Sequence, residues 1–208
     1  MQVFISGTGT NIGKTIISSW LAVQTGFAYF KPIQTGSLEG TDSMEVRKLT
    51  NAKVYPEIFC YKEPVSPHLA AKIKNDEIDI KKITLPEEKN LIIEGAGGLL
   101  VPINKEYFMI DLIKRFQTPV ILVSNAGLGT INHTLLSLES LNSRNIKVLG
   151  VILNGAINND NKEAIEFYGN TEVVAQFPQL DNIDKNILKD IPLPQKLRNM
   201  LAGKNDFI

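Results

Sequence analysis

Apolar residues in this chain fall into short continuous runs, separated by longer stretches of mixed character. Residues 2–6, 27–31, 90–94, 119–123, 147–153 and 172–177 read as strands, with the length and apolar run of buried strands. Between them, residues 13–25, 42–50, 66–75, 108–116, 130–144 and 158–168 read as helices. Alternation of the two predicts an α/β chain with a mostly parallel sheet. Strands lacking a polar face require helices on both faces of that sheet, for which about seven strands are expected. Beyond Pro178 the pattern weakens: Pro192, Pro194 and scattered charge leave room for at most one helix, around 194–202. No repeat, linker or low-complexity tract interrupts the pattern. Residues 1–208 therefore read as a single domain, with 181–208 a poorly defined C-terminal tail.

The first strand leads into Gly7-Thr8-Gly9-Thr10-Asn11-Ile12-Gly13-Lys14-Thr15, followed by Ile16, Ile17, Trp20 and Leu21 at helical spacing. Strand, glycine-rich turn and helix are the context a phosphate-binding loop requires. Unpaired backbone N–H groups at a helix N-terminus attract anionic phosphate. Lys14 adds a point charge near the outer phosphates, and the Thr15 hydroxyl can ligate Mg²⁺. The strict pattern places glycine at position 8, where this chain has Thr8.

Composition narrows the function classes. The chain has 208 residues, 43% hydrophobic and 21% charged, an ordinary globular mix. Lys+Arg and Asp+Glu both number 22, so no basic field favours nucleic acid or an anionic membrane. Apolar runs are too short to span a bilayer, and the first strand begins at once, without a signal-peptide pattern. The single cysteine, Cys60, excludes an internal disulfide and a multi-cysteine metal site. It reads as a buried or half-buried structural thiol, and the expected compartment is the cytoplasm.

Ligands of open parallel sheets bind beyond the carboxyl ends of the strands. Here those ends carry Lys31 before Pro32, Glu94 before Gly95-Ala96-Gly97-Gly98, Ser124-Asn125, and Asn154. Pro32 keeps Lys31 extended and aims it off the strand tip. Mg²⁺ takes a few hard oxygen ligands, and Thr15, Asp42 and Glu94 would supply a hydroxyl and two carboxylates. Asp42 stands just before a helical stretch and serves equally well as an N-cap. Glu94 closes a fully apolar strand and needs a partner.

Five ordered motifs resemble the dethiobiotin synthetase family. They are the loop at 7–15; Lys31-Pro32 with Thr35-Gly36; Pro64-Val65-Ser66-Pro67-His68; Glu94-Gly95-Ala96-Gly97-Gly98; and Gly127-Leu128-Gly129-Thr130-Ile131-Asn132-His133. The resemblance runs from about residue 1 to 180, and the family's loop also carries threonine where Thr8 stands. It implies a phosphate-loop NTPase-like fold and a homodimer with active sites at the interface. It further implies an ATP- and Mg²⁺-dependent reaction on 7,8-diaminononanoate. CO₂ adds to one amine as a carbamate, ATP phosphorylates it, and the second amine closes a cyclic urea with loss of phosphate.

Site residues follow from the same resemblance. Lys31 is expected to hold the carbamate, Lys14 to neutralise the transferring γ-phosphoryl, and Thr10 to contact the carbamate. Asn11, Ile12, Gly13, Lys14, Thr15 and Ile16 would contact the nucleotide. Gly95, Ala96 and Gly97 would join them beside Glu94. Thr15, Asp42 and Glu94 become the Mg²⁺ ligands. Asn154, with Gly155, would meet the base, and the main chain at Phe177, Pro178 and Gln179 would run along its edge. Thr35 would contact the diamine, while Gly129, Thr130 and Asn132 open a helix whose N-terminus suits the substrate carboxylate across the interface. His68 and His133 read as structural or substrate-lining.

Three positions depart from the family. Asn11 stands where some relatives carry glutamate, Gly155 where some carry aspartate, and the tail after Leu180 does not align. The competing reading is a ParA/MinD-like ATPase switch acting through protein partners. That group places a lysine where this chain has Gly9.

Overall fold

The computed structural model describes residues 1–203; residues 204–208, the end of the expected tail, lie outside the described residues. β1 (Gln2–Gly7), β2 (Ala28–Phe30), β5 (Leu91–Gly98), β6 (Val120–Asn125), β7 (Val148–Asn154) and β8 (Val173–Phe177) form one parallel sheet in the order β2-β5-β1-β6-β7-β8. Among the described residues the main sheet has six strands, in keeping with the mostly parallel sheet of about seven expected. β3 (Ile33–Gln34) and β4 (Phe59–Cys60) pair only with each other. Two residues each are too few for the apolar run that marks a buried strand in a sequence.

Alternation along each strand sorts the core into two layers. Val3, Ile5, Ile92, Ile121, Val123 and Ile152 pack against α1 (Lys14–Thr25), α2 (Asp42–Leu49), α7 (Lys185–Asp190) and α8 (Gln195–Leu201). Phe4, Ile93, Val120 and Leu122 face the other side. That side is covered by α3 (Pro67–Ile73), α4 (Met109–Phe116), α5 (Thr130–Asn142) and α6 (Asn159–Gly169). A side-chain period of two produces this division. Among the described residues, no helix is long and apolar enough to cross a membrane.

Among its described residues the tail holds two helices, where the sequence left room for at most one. Asp184 caps α7 by accepting from the Asn186 and Ile187 N–H groups. Leu188, Leu193, Leu197 and Leu201 are buried in the layer that holds α1. Trp20 Nε1 donates to the Ile191 carbonyl at 2.7 Å, and Gln24 Nε2 reaches the carbonyls of Leu188, Lys189 and Ile191. A side chain thus satisfies carbonyls that a helix end leaves open.

Cys60 corrects its expectation: it is exposed. Phe59, the other residue of β4, packs on the core, and the alternation of a strand turns Cys60 the opposite way.

Candidate active site at the strand ends

β1 lies between β5 and β6, so the loop after it opens at the middle of the sheet's carboxyl edge. Gly13 starts α1 with φ 90°, a conformation that favours glycine. A Cβ there would also fall 2.0 Å from Asn154 Nδ2. Lys14 follows as the first helical residue, buried, with Nζ donating to the Gly9 carbonyl at 2.9 Å across its own loop. Burial, above all, brings its pKa down to about 8.

Register explains the second part of the site. Tyr29 pairs with Ile92 and Phe30 with Ile93, so one step further Lys31 comes beside Glu94. Glu94 shares parity with Ile92 and therefore points to the α1 side, where Thr15 and Ser18, three residues apart, share a helix face. The result is a buried cluster in which Glu94 is 1% exposed and Lys31 4%. Lys31 Nζ lies 3.0 Å from Glu94 Oε1 and forms an ion pair with Asp42 Oδ2. Thr15 Oγ1 is 3.0 Å from both Glu94 Oε1 and Asp42 Oδ1. Ser18 and Tyr29 donate to the other oxygen, Glu94 Oε2, at 2.8 and 3.1 Å.

These contacts set the charge states. Burial alone lowers the pKa of Lys31, but Glu94 and Asp42 outweigh it and hold the pKa above the ordinary lysine value. Burial raises Asp42, yet Lys31 reverses that and keeps its carboxyl below the usual range. The Tyr29 hydroxyl is pushed well up, first by burial and then by Glu94, so it acts as a donor.

The structure separates the two roles left open for Asp42. Thr41 is the N-cap of α2, its hydroxyl accepting from the Met44 N–H at 3.2 Å. Asp42, one residue inside, is free of capping and turns to Thr15 and Lys31. A hydroxyl and two carboxylates meeting in this way are hard oxygen donors, a set that fits Mg²⁺.

Around this centre lie the other expected residues. A Cβ on Gly97, at φ 68°, would come 3.6 Å from Thr10 Oγ1 and 2.7 Å from Val101 Cγ2, so the end of β5 sits close against the loop. Thr10 and Asn11 are exposed, Asn11 with φ 57°. Ile12 and Ile16 pack partly buried on the α1 layer. Asn154 Nδ2 donates to the Ile12 carbonyl at 2.9 Å, which ties β7 to the loop. The Gly155 N–H donates to the Phe177 carbonyl at 2.9 Å; Phe177 is buried, whereas Gln179 is exposed. Ala96 is buried in the α4 layer.

On the far side of β1 the chemistry is neutral. A cleft of about 530 Å³ is lined by Thr8, Gly9, Ile12, Ser124, Asn125, Gly127, Leu128, Thr130 and His133. Ser124 Oγ forms its hub, 2.9 Å from Thr130 Oγ1 and 2.8 Å from Thr134 Oγ1. Gly129 and Asn132 are exposed at the start of α5. Thr35 lies half-buried after β3, its carbonyl accepting from Gln34 Nε2 at 2.8 Å. His68 pairs locally with Ser66, Nδ1 to Oγ 3.0 Å.

Sequence reasoning missed Ser18 and Tyr29. Both carried a positional signal, since Ser18 lies three residues after Thr15 and Tyr29 two before Lys31. It also missed the Ser124–Thr134 contact, which follows from α5 packing on β6.

A parallel sheet with a phosphate loop at its centre, and hydroxyl and carboxylate oxygens beside it, defines a phosphate-loop NTPase-type protein. Solved structures share that fold. A ParA family ATPase from Chlorobium tepidum has a TM-score of 0.58 at 13% identity, covering 97% of this chain and 96% of that one. A chain of the MinC:MinD cell division protein complex from Aquifex aeolicus has a TM-score of 0.59 at 16% identity, covering 100% and 97%. A family described as an AAA domain matches residues 1–186. The ATP-dependent dethiobiotin synthetase of Lawsonia intracellularis is 58% identical over 96% of this chain and 98% of its own. That of Paramagnetospirillum magneticum is 43% identical over 92% and 95%. This chain belongs to the dethiobiotin synthetase family.

Proposed function

We propose that the chain is an ATP-dependent dethiobiotin synthetase, a C–N bond-forming cyclo-ligase acting on 7,8-diaminononanoate and CO₂. The observation that carries this reading is the meeting of a phosphate loop with Lys31, a lysine buried between Asp42 and Glu94. The carbamate nitrogen and carbon come from the substrate amine and CO₂, with loss of a proton. A carbamate oxygen takes the γ-phosphoryl group and ADP leaves. The second amine then attacks the carbonyl carbon, and phosphate departs as the ring closes.

Such a reaction asks the protein for positioning and charge rather than for a nucleophile. Lys31, whose charge its neighbours reinforce, brings an ammonium to the tip of β2 for the anionic carbamate, with Thr10 near by. Lys14 and the loop N–H groups take the phosphates. Thr15, Asp42 and Glu94 would hold Mg²⁺, which when bound neutralises phosphate charge. The remaining nucleotide contacts, at 95–97, 154–155 and 177–179, lie along the same sheet edge. The N-terminus of α5, with Gly129, Thr130 and Asn132, is suited to the substrate carboxylate, and Thr35 to the diamine. The reading includes one domain, a homodimer with interface active sites, a cytoplasmic location, and no nucleic-acid or membrane partner.

Incubation with diaminononanoate, bicarbonate, Mg²⁺ and ATP should yield the cyclic urea with one ADP per ring. Hydrolysis of ATP alone, without that product, would sink the synthetase reading.

A further inference from the structure

Glu94 is the most heavily bonded carboxylate at the strand ends, and its two oxygens are treated differently. Oε1 faces Thr15 and Lys31, both at 3.0 Å. Oε2 is turned away from them and receives the Ser18 and Tyr29 hydroxyls. Both donors are completely buried, and their hydroxyls bond Glu94 Oε2 rather than a loop carbonyl, Lys14 or Asp42. Their placement comes from the backbone: Ser18 lies one turn along α1 from Thr15, and Tyr29 shares the strand face of Lys31.

We propose that Ser18 and Tyr29 are positioning residues that pin Glu94 Oε2, so that the carboxylate offers a single oxygen, Oε1, to a divalent cation at Thr15. The proposal rests on the metal-site reading above. Its physical content is coordination geometry. Mg²⁺ demands near-octahedral ligands at about 2.0–2.1 Å, whereas Ca²⁺ accepts six to eight oxygens in flexible geometry and readily takes a carboxylate through both of its oxygens as well as through one. A carboxylate with one oxygen held by two buried hydroxyls cannot rotate to present both. Ser18 and Tyr29 thereby favour Mg²⁺ over Ca²⁺ without touching either. A role limited to satisfying a buried carboxylate would affect stability and leave the choice of cation alone.

The test measures the affinity of the full chain for a non-hydrolysable ATP analogue in EDTA, in saturating Mg²⁺ and in saturating Ca²⁺. Wild type, Tyr29→Phe, Ser18→Ala and the double variant are compared, each checked for a cooperative thermal transition. Tyr29→Phe keeps the ring in its core position, and Ser18→Ala carries the test should that variant fail to fold. Expected is an unchanged affinity in EDTA and a loss of the Mg²⁺-dependent tightening of roughly ten- to a hundredfold, the usual cost of removing an outer-shell partner. Ca²⁺-dependent tightening should fall less, so the preference for Mg²⁺ drops, most of all in the double variant. Equal loss with both cations, or a Mg²⁺ effect within twofold of wild type in the folded variants, overturns the proposal. A wild-type protein whose analogue affinity ignores Mg²⁺ overturns the metal site itself, and the proposal with it.

Discussion

The two flanks of β1 end at the same edge of the sheet and carry opposite chemistry. On the β5 side Lys31, Asp42 and Glu94 gather three formal charges, Lys31 and Glu94 buried and Asp42 partly so, each answered by a partner. On the β6 side Ser124, Thr130 and Thr134 join hydroxyls into a neutral network over an open cleft. Buried charge is tolerated only when paired and hydrogen-bonded, so the first flank is constrained in every member. A hydroxyl donates and accepts by rotation, which lets the second flank lose a member at modest cost. Substitutions should therefore hurt in proportion to the charge they leave unanswered.

The largest effect is expected at Lys31. Lys31→Ala leaves two carboxylates facing each other, which should cost about 3–5 kcal/mol of stability in Mg²⁺-free buffer, read by urea denaturation. Turnover should fall by roughly a hundred- to a thousandfold, the range for removing a group aimed at developing charge, while nucleotide affinity changes little. An equal loss of nucleotide binding would move Lys31 to the phosphate site.

Next comes Lys14. Removing one charge-assisted contact worth about 1.5–3 kcal/mol means that Lys14→Ala should weaken nucleotide binding roughly ten- to a hundredfold. Its pKa near 8 adds a pH signature. Nucleotide affinity should fall between about pH 7 and 9 as the ammonium discharges, and Lys14→Ala should flatten that slope. The folded pKa lies below the ordinary value of 10.5, so the charged form is the one that burial penalises. The stability cost is full below about pH 8 and fades as pH rises towards 10.5. A flat binding profile in the wild type would remove Lys14 from the phosphate site.

Ser124→Ala should be milder. It takes the hub from the neutral flank and should cost about 1–2 kcal/mol in thermal or urea melts, with turnover within tenfold of wild type. A loss as large as that of Lys31→Ala would erase the contrast between the flanks.

The smallest effect concerns the nucleotide base. Asn154 spends a donor on the Ile12 carbonyl, Gly155 takes the Phe177 carbonyl, and Pro178 has no N–H to offer. Few polar groups remain to be left unpaired by a wrong base, the condition for strong rejection. GTP or CTP should support turnover at saturation, measured as kcat/KM in parallel with ATP. A preference for ATP beyond about a thousandfold, some 4 kcal/mol, would mean the base is read by further groups.

The same contrast governs what the sequence discloses. Charged strand ends were legible, because a lysine or glutamate closing an apolar run has few structural uses. Tyr29 and Ser18 were not, because a tyrosine in an aromatic strand and a serine in a helix pass as filling until the register is known. Asp42 was ambiguous for want of one fact, that Thr41 takes the cap. The strand order along the sheet, with β5 inserted between β1 and β2, is a matter of long-range pairing that local patterns do not encode. α7 escaped notice because six residues contain too few turns for a period to emerge, and its burial depends on the distant face of α1.

That docked tail gives the protein an optical property. Trp20 is the chain's one tryptophan. Its ring is 1% exposed and lies 5.1 Å from Phe177 at the tip of β8, and its indole N–H holds the Ile191 carbonyl. Fluorescence excited at the red edge of protein absorption therefore comes from a single buried position that touches both the end of β8 and the C-terminal segment around Ile191. Emission should be blue in the native protein and move to the red whenever residues 188–191 leave α1. Detachment of the tail can thus be timed directly, apart from any chemistry at Lys31.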